Sequence, residues 1–233
     1  VFGGSNLLAE RAMLRPAALA LAFLCSFASI ALSMIGVVIF SLPLFFLIIT
    51  ILANLLGWAY SRPPVRLLSR GLGEVSIALG TGFIIPATGY LAATLKLDAR
   101  LLLLATPFVL YGFVLSLSLE LPDLEADLTT GKLNLVARLG RKQTYTMILV
   151  LCGLASGLLV IASNSLGREL VAPWMFVAYS VIPLLASMYG YSRGSMEKKV
   201  SDRISTINIV YLIAMILLVD LSLLGEVFVL RIA

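Results

Sequence analysis

Seven apolar stretches, each about long enough to cross a lipid bilayer, constrain the fold of this chain more than any other feature of its sequence. At 1.5 Å per helical residue, about 20 residues span a hydrocarbon core about 30 Å thick. We place the spans at about 16–40, 43–60, 72–94, 100–121, 143–164, 173–191 and 203–224. Because 61% of the residues are hydrophobic and only 12% are charged, we predict an all-α, multi-pass transmembrane helical bundle that forms one integral domain over residues 1–233.

The distribution of basic residues predicts the orientation of the bundle, because Lys and Arg accumulate on the cytoplasmic side of membrane proteins. Of the 17 basic residues, 13 lie before the first span or in the connections after spans two, four and six: Arg11, Arg15, Arg62, Arg66, Arg70, Lys132, Arg138, Arg141, Lys142, Arg193, Lys198, Lys199 and Arg203. We therefore expect a cell-membrane protein with these connections in the cytoplasm. The net charge of +5 reflects this topology, which predicts membrane lipids and no nucleic acid as partners.

The chain contains no histidine and two cysteines. The absence of histidine excludes Ser-His-Asp and Cys-His catalysis and any His-ligated metal site. Cys25 and Cys152 both fall inside predicted spans, where we interpret them as packing residues and not as a disulfide. A bound metal ion would therefore be oxygen-ligated, which favours Mg²⁺.

An acidic cluster directly follows the fourth span. Glu120, Asp123, Glu125 and Asp127 place four carboxylates within eight residues. Asp123 and Asp127 are four apart and share a helical face, Glu120 extends that face if the helix continues, and Glu125 points elsewhere. Carboxylates this close repel one another unless a cation lies between them, so the spacing predicts a Mg²⁺ site for a phosphorylated substrate.

Pro122 interrupts this cluster, because proline cannot donate a hydrogen bond inside a helix. We interpret Pro122 as the first residue of a short new helix, which keeps Asp123 and Asp127 as a facing pair and makes Glu120 a weaker ligand. The alternative is a solvated loop whose acids pair with Lys132 and Arg138.

A basic connection follows the second span, from Tyr60 to Glu74. It contains two consecutive prolines, and Arg66 and Arg70 offer guanidinium groups suited to phosphate oxygens. Their alternative role is to anchor the loop at the cytoplasmic surface. The occurrence of both the acids and these arginines at one face favours a diphosphate site.

Prolines and glycines inside the spans predict local features of the helices. Pro86, Pro107 and Pro183 each remove a backbone hydrogen bond and permit a bend or a local opening. Gly153 and Gly157 have the GxxxG spacing and predict close helix packing on the fifth span.

The two connections resemble motifs of the UbiA superfamily of intramembrane prenyltransferases. The segment 123–140, DLEADLTTGKLNLVARLG, is similar to the second Asp-rich motif of that family with its trailing GKxTLAVRLG sequence. Residues 60–71 resemble the YSxPPxRLKxRG connection. Gly3-Gly4-Ser5 is similar to the GGS that follows the first Asp-rich motif in members that act on dihydroxynaphthoate. The resemblance covers essentially the whole chain.

The resemblance implies nine transmembrane helices with Asp-rich motifs after the second and sixth. Here the acidic cluster follows the fourth span, so we expect the first two helices and the first motif, NDxxDxxxD, to be missing from this sequence. The sequence departs from the family pattern at four positions. Leu68 replaces a usual Lys and Pro122 replaces a usual basic residue. Leu128 replaces a usual Arg and Asn134 replaces a usual Thr.

The resemblance also implies a mechanism. Mg²⁺ would bridge the acids and the diphosphate of a prenyl donor, and ionisation would leave an allylic cation that an aromatic acceptor attacks. The implied metal ligands are Asp123, Asp127 and, more weakly, Glu120. The implied diphosphate-binding residues are Arg66, Arg70 and Lys132, and the rings that could face the prenyl cation are Tyr60 and Tyr111, although a tyrosine near a membrane interface also serves as an anchor.

Several acceptors and one other class of protein remain open. The RGLGE run at 70–74 and the GGS favour a dihydroxynaphthoate acceptor and menaquinone synthesis, and a glycerol phosphate lipid is the alternative acceptor. A carrier would place charged groups near mid-membrane, whereas Asp220 lies toward the outer end of its span and Asn54 and Asn208 are expected to make interhelical hydrogen bonds. An inactive homologue is the third possibility.

Overall fold

The computed structural model describes residues 12–132, 134–165, 173–193 and 197–232. Gly3-Gly4-Ser5, Arg11 and Arg168 lie outside these ranges. Within them the regular secondary structure is helical, and the α-helices are α1 (Arg15–Ile39), α2 (Leu44–Ser61), α3 (Gly73–Leu79), α4 (Ile85–Thr94), α5 (Ala99–Glu120), α6 (Leu124–Thr130), α7 (Leu135–Ser165), α8 (Pro173–Arg193) and α9 (Lys198–Ile232). Short 3-10 helices precede α1, α3 and α6.

Seven helical spans in the described residues are long and apolar enough to cross a membrane, which confirms the predicted all-α multi-pass bundle. The predicted boundaries differ most where charged residues begin a helix. Helix α7 starts at Leu135 and not near 143, and a break at Gly140 (φ 71°, ψ 170°) separates its first turn from the apolar part. Helix α9 starts at Lys198 and not near 203. Hydropathy marks only the apolar length, whereas helical hydrogen bonds continue into the polar residues.

The third span is not one continuous helix. A π-helical segment, Gly80–Ile84, joins α3 to α4, and Pro86 lies in the first turn of α4. The backbone therefore departs from a regular α-helix next to Pro86. Pro107 and Pro183 lie within α5 and α8.

The close helix contacts lie at other glycines than the predicted pair. Gly153 and Gly157 are exposed, and a Cβ added at either would meet no atom within 4 Å, so the predicted close packing there was wrong for this fold. A Cβ at Gly82 would clash with the carbonyl oxygen of Phe108, and one at Gly112 would lie 2.8 Å from the Cα of Ala78. The third span and α5 therefore cross at nearly backbone contact.

The main apolar core lies between α5, α7, α8 and α9. Its fully buried members include Leu117, Tyr145 and Ile148. A second, smaller cluster joins α2, α4 and α5 through Ile49, Ala87, Leu91, Leu101 and Ala105. Helix α5 belongs to both clusters, and its last residue, Glu120, is the first member of the acidic cluster.

Polar residues inside the spans behave in two ways. Asn54 donates to the Oγ of Ser29 at 3.0 Å, as expected for an interhelical hydrogen bond. Asn208 is buried, but neither atom of its side-chain amide has a hydrogen-bond partner among the described residues, so that expectation was wrong. Cys25 and Cys152 are both free thiols.

Candidate active site

The acidic cluster occupies the end of the bundle where α5 stops and α7 begins. A 3-10 turn, Leu121–Asp123, contains Pro122 and leads into α6. Pro122 is therefore the second residue of this turn and not the first residue of the new helix, since α6 begins at Leu124. Helix α6 ends at Thr130, and the next residue, Gly131, reverses the chain with a positive φ of 70°. The backbone N–H of Lys132 then donates to the carbonyl of Asp127 at 3.0 Å, which is a helix-ending bond of the Schellman type.

This reversal brings Lys132 against Asp127. The Nζ of Lys132 lies 2.9 Å from the Oδ2 of Asp127, whose residue is only 8% exposed. Burial lowers the pKa of Lys132, but the hydrogen bond and charge of Asp127 outweigh that effect and raise the pKa above its usual value. Lys132 is therefore a cation at neutral pH. The alternative interpretation of the cluster correctly anticipated an ion pair with Lys132.

Asn134 holds the same carboxylate from the other side. Its Nδ2 donates to the Oδ2 of Asp127 at 2.5 Å, and its Oδ1 accepts from the backbone N–H of Ala137 at 2.7 Å. The side chain thus caps the start of α7 and orients Asp127 at once. Sequence reasoning noted Asn134 only as a departure from a family pattern and missed this role.

Glu120 extends the cluster toward the bundle interior. It is 8% exposed and lies close enough to Glu74, Lys132 and Asp127 to interact with each electrostatically. Its Oε2 is buried and has no hydrogen-bond partner among the described residues. An orphaned carboxylate oxygen at this depth is a ready acceptor for a cation or a donor group.

Glu74 is a site residue that sequence reasoning missed. It lies in the first turn of α3, is 1% exposed, and its Oε1 accepts from the backbone N–H of Leu135 at 2.5 Å. The signal that could have found it is its position at the start of an apolar span, at the same end of the bundle as the other acids. An ionisable residue within or beside a membrane span is expensive unless it has a partner.

The two tyrosines predicted to face the prenyl cation, Tyr60 and Tyr111, lie in different environments. Tyr60, at the end of α2, interacts electrostatically with Glu120, Lys132 and Glu74 and so belongs to the cluster. Tyr111 is buried in the main core, where its hydroxyl lies 3.2 Å from the Oγ of Ser156. It precedes Glu120 by nine residues along α5, which is about 13 Å of helix.

The remaining predicted site residues are more exposed than Glu120 and Asp127. Asp123 is half-buried immediately before α6, and its side chain does not cap that helix. Arg66 and Arg70 are exposed, and the Nη2 of Arg70 donates to the carbonyl of Pro64 within its own loop. Glu125 faces away as predicted and forms ion pairs with two basic residues, Arg141 and Lys198.

The described carboxylates would supply only part of the coordination shell of a Mg²⁺ ion. In the described part of the chain, no three His, Cys, Asp or Glu side chains are grouped to hold a metal ion by themselves. Mg²⁺ commonly takes one or two carboxylates and completes its shell with water and phosphate oxygens. Asp127 and the orphaned Oε2 of Glu120 supply hard oxygen atoms of this type.

Comparison with known proteins gives one result. The sequence profile described as the UbiA prenyltransferase family matches residues 5–225. No curated protein and no solved structure gave a significant match.

Proposed function

The chain belongs to the UbiA prenyltransferase family, and from that premise we propose that it transfers a polyprenyl group from a prenyl diphosphate to an aromatic quinone precursor in the membrane. Family membership implies prenyl transfer as the general activity. The observation that supports a site in this chain is the juxtaposition of Asp127, Lys132 and Glu120 at one end of the bundle.

The diphosphate is the group that this cluster would recognise. The ammonium of Lys132 is held at a fixed point by Asp127, so it can donate to a phosphate oxygen without first being ordered. Asp127 and Asp123, with Glu120 as the third candidate, would hold Mg²⁺. The bound ion would neutralise negative charge on the departing diphosphate. Arg66 and Arg70, on the loop that leads into α3, would add donors to the outer phosphate.

The prenyl chain requires an apolar environment close to this point. Tyr60, at the end of α2, would present its ring to the allylic cation. An open cleft of about 490 Å³ adjoins the Tyr60 end of α2 and is lined largely by apolar side chains, among them Phe23, Leu55 and Val65. We assign the isoprenoid tail to this cleft, since water would not solvate it.

The acceptor is proposed to be a dihydroxynaphthoate-type aromatic. The RGLGE run at 70–74 supports this choice, because it resembles the branch of the family that acts on dihydroxynaphthoate. A glycerol phosphate lipid is the second candidate acceptor. The 13 basic residues before the first span and in the connections after spans two, four and six support a cytoplasmic location for the cluster.

The test is Mg²⁺-dependent transfer of radiolabelled geranylgeranyl diphosphate to a panel of aromatic acceptors and to geranylgeranylglyceryl phosphate. The full-length protein is compared with Asp123→Asn and Asp127→Asn, each of which we expect to reduce kcat/KM by about a hundredfold or more. Glu197→Gln is the control, because Glu197 is an exposed acid on the segment before α9.

The preferred acceptor in this panel decides between the naphthoate and lipid proposals. Transfer that survives both aspartate substitutions would refute the assignment of the site. No transfer by a folded full-length protein would favour a carrier or an inactive homologue.

A further inference from the structure

We propose that Glu74 and Asn134 are positioning residues that hold the segment between α6 and α7, so that Lys132 and Asp127 present one fixed diphosphate-binding geometry. Neither side chain needs to contact the substrate in this role. The inference rests on the proposed function for its meaning, but its structural part stands on the hydrogen bonds of these two residues.

Glu74 forms a hydrogen bond with the backbone of Leu135 at the start of α7. Its carboxylate, on α3, accepts the backbone N–H of Leu135 at 2.5 Å, and the two residues are 61 positions apart in the chain. The first amides of a helix have no partner within that helix, so this bond satisfies a donor that α7 cannot satisfy itself. Because Glu74 is 1% exposed, water does not compete effectively for the bond. Glu74 therefore ties the start of α7 to a different span.

Asn134 forms two hydrogen bonds, one with Asp127 and one with the backbone of Ala137. The amide donates to Asp127 at 2.5 Å and accepts from Ala137 at 2.7 Å. An asparagine supplies both a donor and an acceptor on one rigid planar group, so the carboxylate of Asp127 is fixed relative to the axis of α7. Asn134 is only 2% exposed. A hydroxyl residue could cap α7 but has no second polar atom to reach Asp127.

Glu74 and Asn134 together hold the segment that carries Lys132. Lys132 follows the reversal at Gly131 and lies outside any helix. Its ammonium group donates to the carboxylate of Asp127. The two groups can therefore shift together relative to the bundle unless other bonds hold them in place. Asn134 ties the carboxylate to α7, and Glu74 ties α7 to α3. A small displacement of a binding group costs affinity and rate, so loss of either anchor should weaken diphosphate binding.

Four variants separate the hydrogen bonds from charge and from general stability. Glu74→Gln keeps an acceptor for Leu135, whereas Glu74→Ala removes it. Asn134→Ser keeps a good helix cap but removes the donor to Asp127, whereas Asn134→Ala removes both. Glu197→Ala is the exposed control. The readouts are amide hydrogen exchange at residues 134–137 in detergent micelles, and KM for the prenyl diphosphate against kcat.

For Glu74→Ala we expect exchange at Leu135 to accelerate and KM to rise about tenfold, the effect of losing a hydrogen bond to a charged group, with a smaller change in kcat. Glu74→Gln should stay close to the parent protein in both readouts. Asn134→Ser should raise KM while the amide of Ala137 stays protected, and Asn134→Ala should lose both properties.

The proposal is overturned if Glu74→Gln is as impaired as Glu74→Ala, since charge and not the bond would then matter. It is also overturned if KM and exchange are unchanged in Glu74→Ala and Asn134→Ala. If Glu74→Ala does not fold, the contrast between Asn134→Ser and Asn134→Ala decides. A parent protein without transfer activity would refute the proposed function, while the exchange data would still test whether the two anchors hold the segment.

Discussion

The α1–α2 hairpin and the bundle of α5, α7, α8 and α9 are held in different ways, although α5, α7 and α9 are about as apolar in sequence as the two hairpin helices. Of the most apolar stretch of each span, 11% of the residues in α1 and 6% in α2 are buried within the protein, against 50% in α5 and 33% in each of α7, α8 and α9. Lipid tails are as apolar as leucine, so apolar residues alone do not drive two helices together in a membrane. The hairpin therefore needs another source of specificity.

That source is a row of polar contacts between α1 and α2. Three side-chain hydrogen bonds occur at successive turns: Ser33 with Thr50 at 2.7 Å, Asn54 with Ser29 at 3.0 Å, and Trp58 with Ser26 at 3.1 Å. The partners on each helix are three or four residues apart, so they lie on one face. The bundle also has interhelical hydrogen bonds, such as that between Tyr145 and Ser201 at 3.0 Å, but it adds close packing around residues such as Leu117 and Ile148, which are fully buried.

The largest expected difference is between two leucines truncated to alanine. Leu117→Ala removes a side chain that is 0% exposed in the bundle, whereas Leu52→Ala removes one that is 53% exposed on the hairpin. We expect Leu117→Ala to reduce the free energy of unfolding by about 2 kcal/mol or more, because it leaves a cavity. Leu52→Ala should change it little, since lipid replaces the lost contacts. Equilibrium unfolding by SDS in mixed micelles measures both, and equal effects would contradict the comparison.

A smaller difference is expected between two glycines. Gly112→Ala places a methyl group 2.8 Å from the Cα of Ala78, while Gly153→Ala meets nothing within 4 Å. Overpacking should cost Gly112→Ala about 1–3 kcal/mol of unfolding free energy. Gly153→Ala should be neutral or slightly stabilising, because alanine favours the helix. Midpoints of thermal unfolding in detergent test this pair. Destabilisation by Gly153→Ala would show that the GxxxG face is in contact with another helix after all.

The smallest effect is expected for the hairpin bond itself. Asn54→Ala should reduce the free energy of unfolding by about 0.6 kcal/mol, the typical value for an interhelical hydrogen bond in a membrane. Among the described residues, the hydroxyl of Thr106 bonds the carbonyl of Leu102 in its own helix and no side chain of another helix, so Thr106→Ala is the matched control. Hydrogen exchange along α1 should accelerate in Asn54→Ala and not in the control. An unchanged exchange rate would mean that apolar packing already holds the hairpin.

The parts of the site that the sequence predicted share one property, which is that their geometry is local. Asp127 and Lys132 are five positions apart, and the turn at Gly131 that joins them is readable from residue type. Pro122 likewise predicts that one helix ends and another begins close to its own position. The triad of Asp123, Asp127 and Glu120 stays a prediction as a set of metal ligands, and so do the diphosphate roles of Arg66 and Arg70.

The parts that the sequence did not predict depend on contacts between distant segments. Glu74 reaches Leu135 across 61 positions, and nothing near Glu74 in the chain indicates that partner. The sequence indicated Tyr60 and Tyr111 equally as rings that could face the prenyl cation. In the structure Tyr60 interacts electrostatically with Glu120 and Glu74, whereas Tyr111 lies in the apolar core. The GxxxG spacing of Gly153 was misleading because every face of that helix is apolar, so the spacing does not indicate which face has a neighbour.

The sequence by itself determined that this chain is a seven-span helical bundle with an acidic and basic cluster at one end, because apolar length and local spacing act within single segments. Tertiary structure alone decided which glycines let helices cross, which tyrosine joins the carboxylates, and that Glu74 and Asn134 hold the segment around Lys132. These features arise only when α3, α5 and α7 pack together. In a membrane that packing is selected by shape and hydrogen bonding, because hydrophobicity does not distinguish a neighbouring helix from lipid.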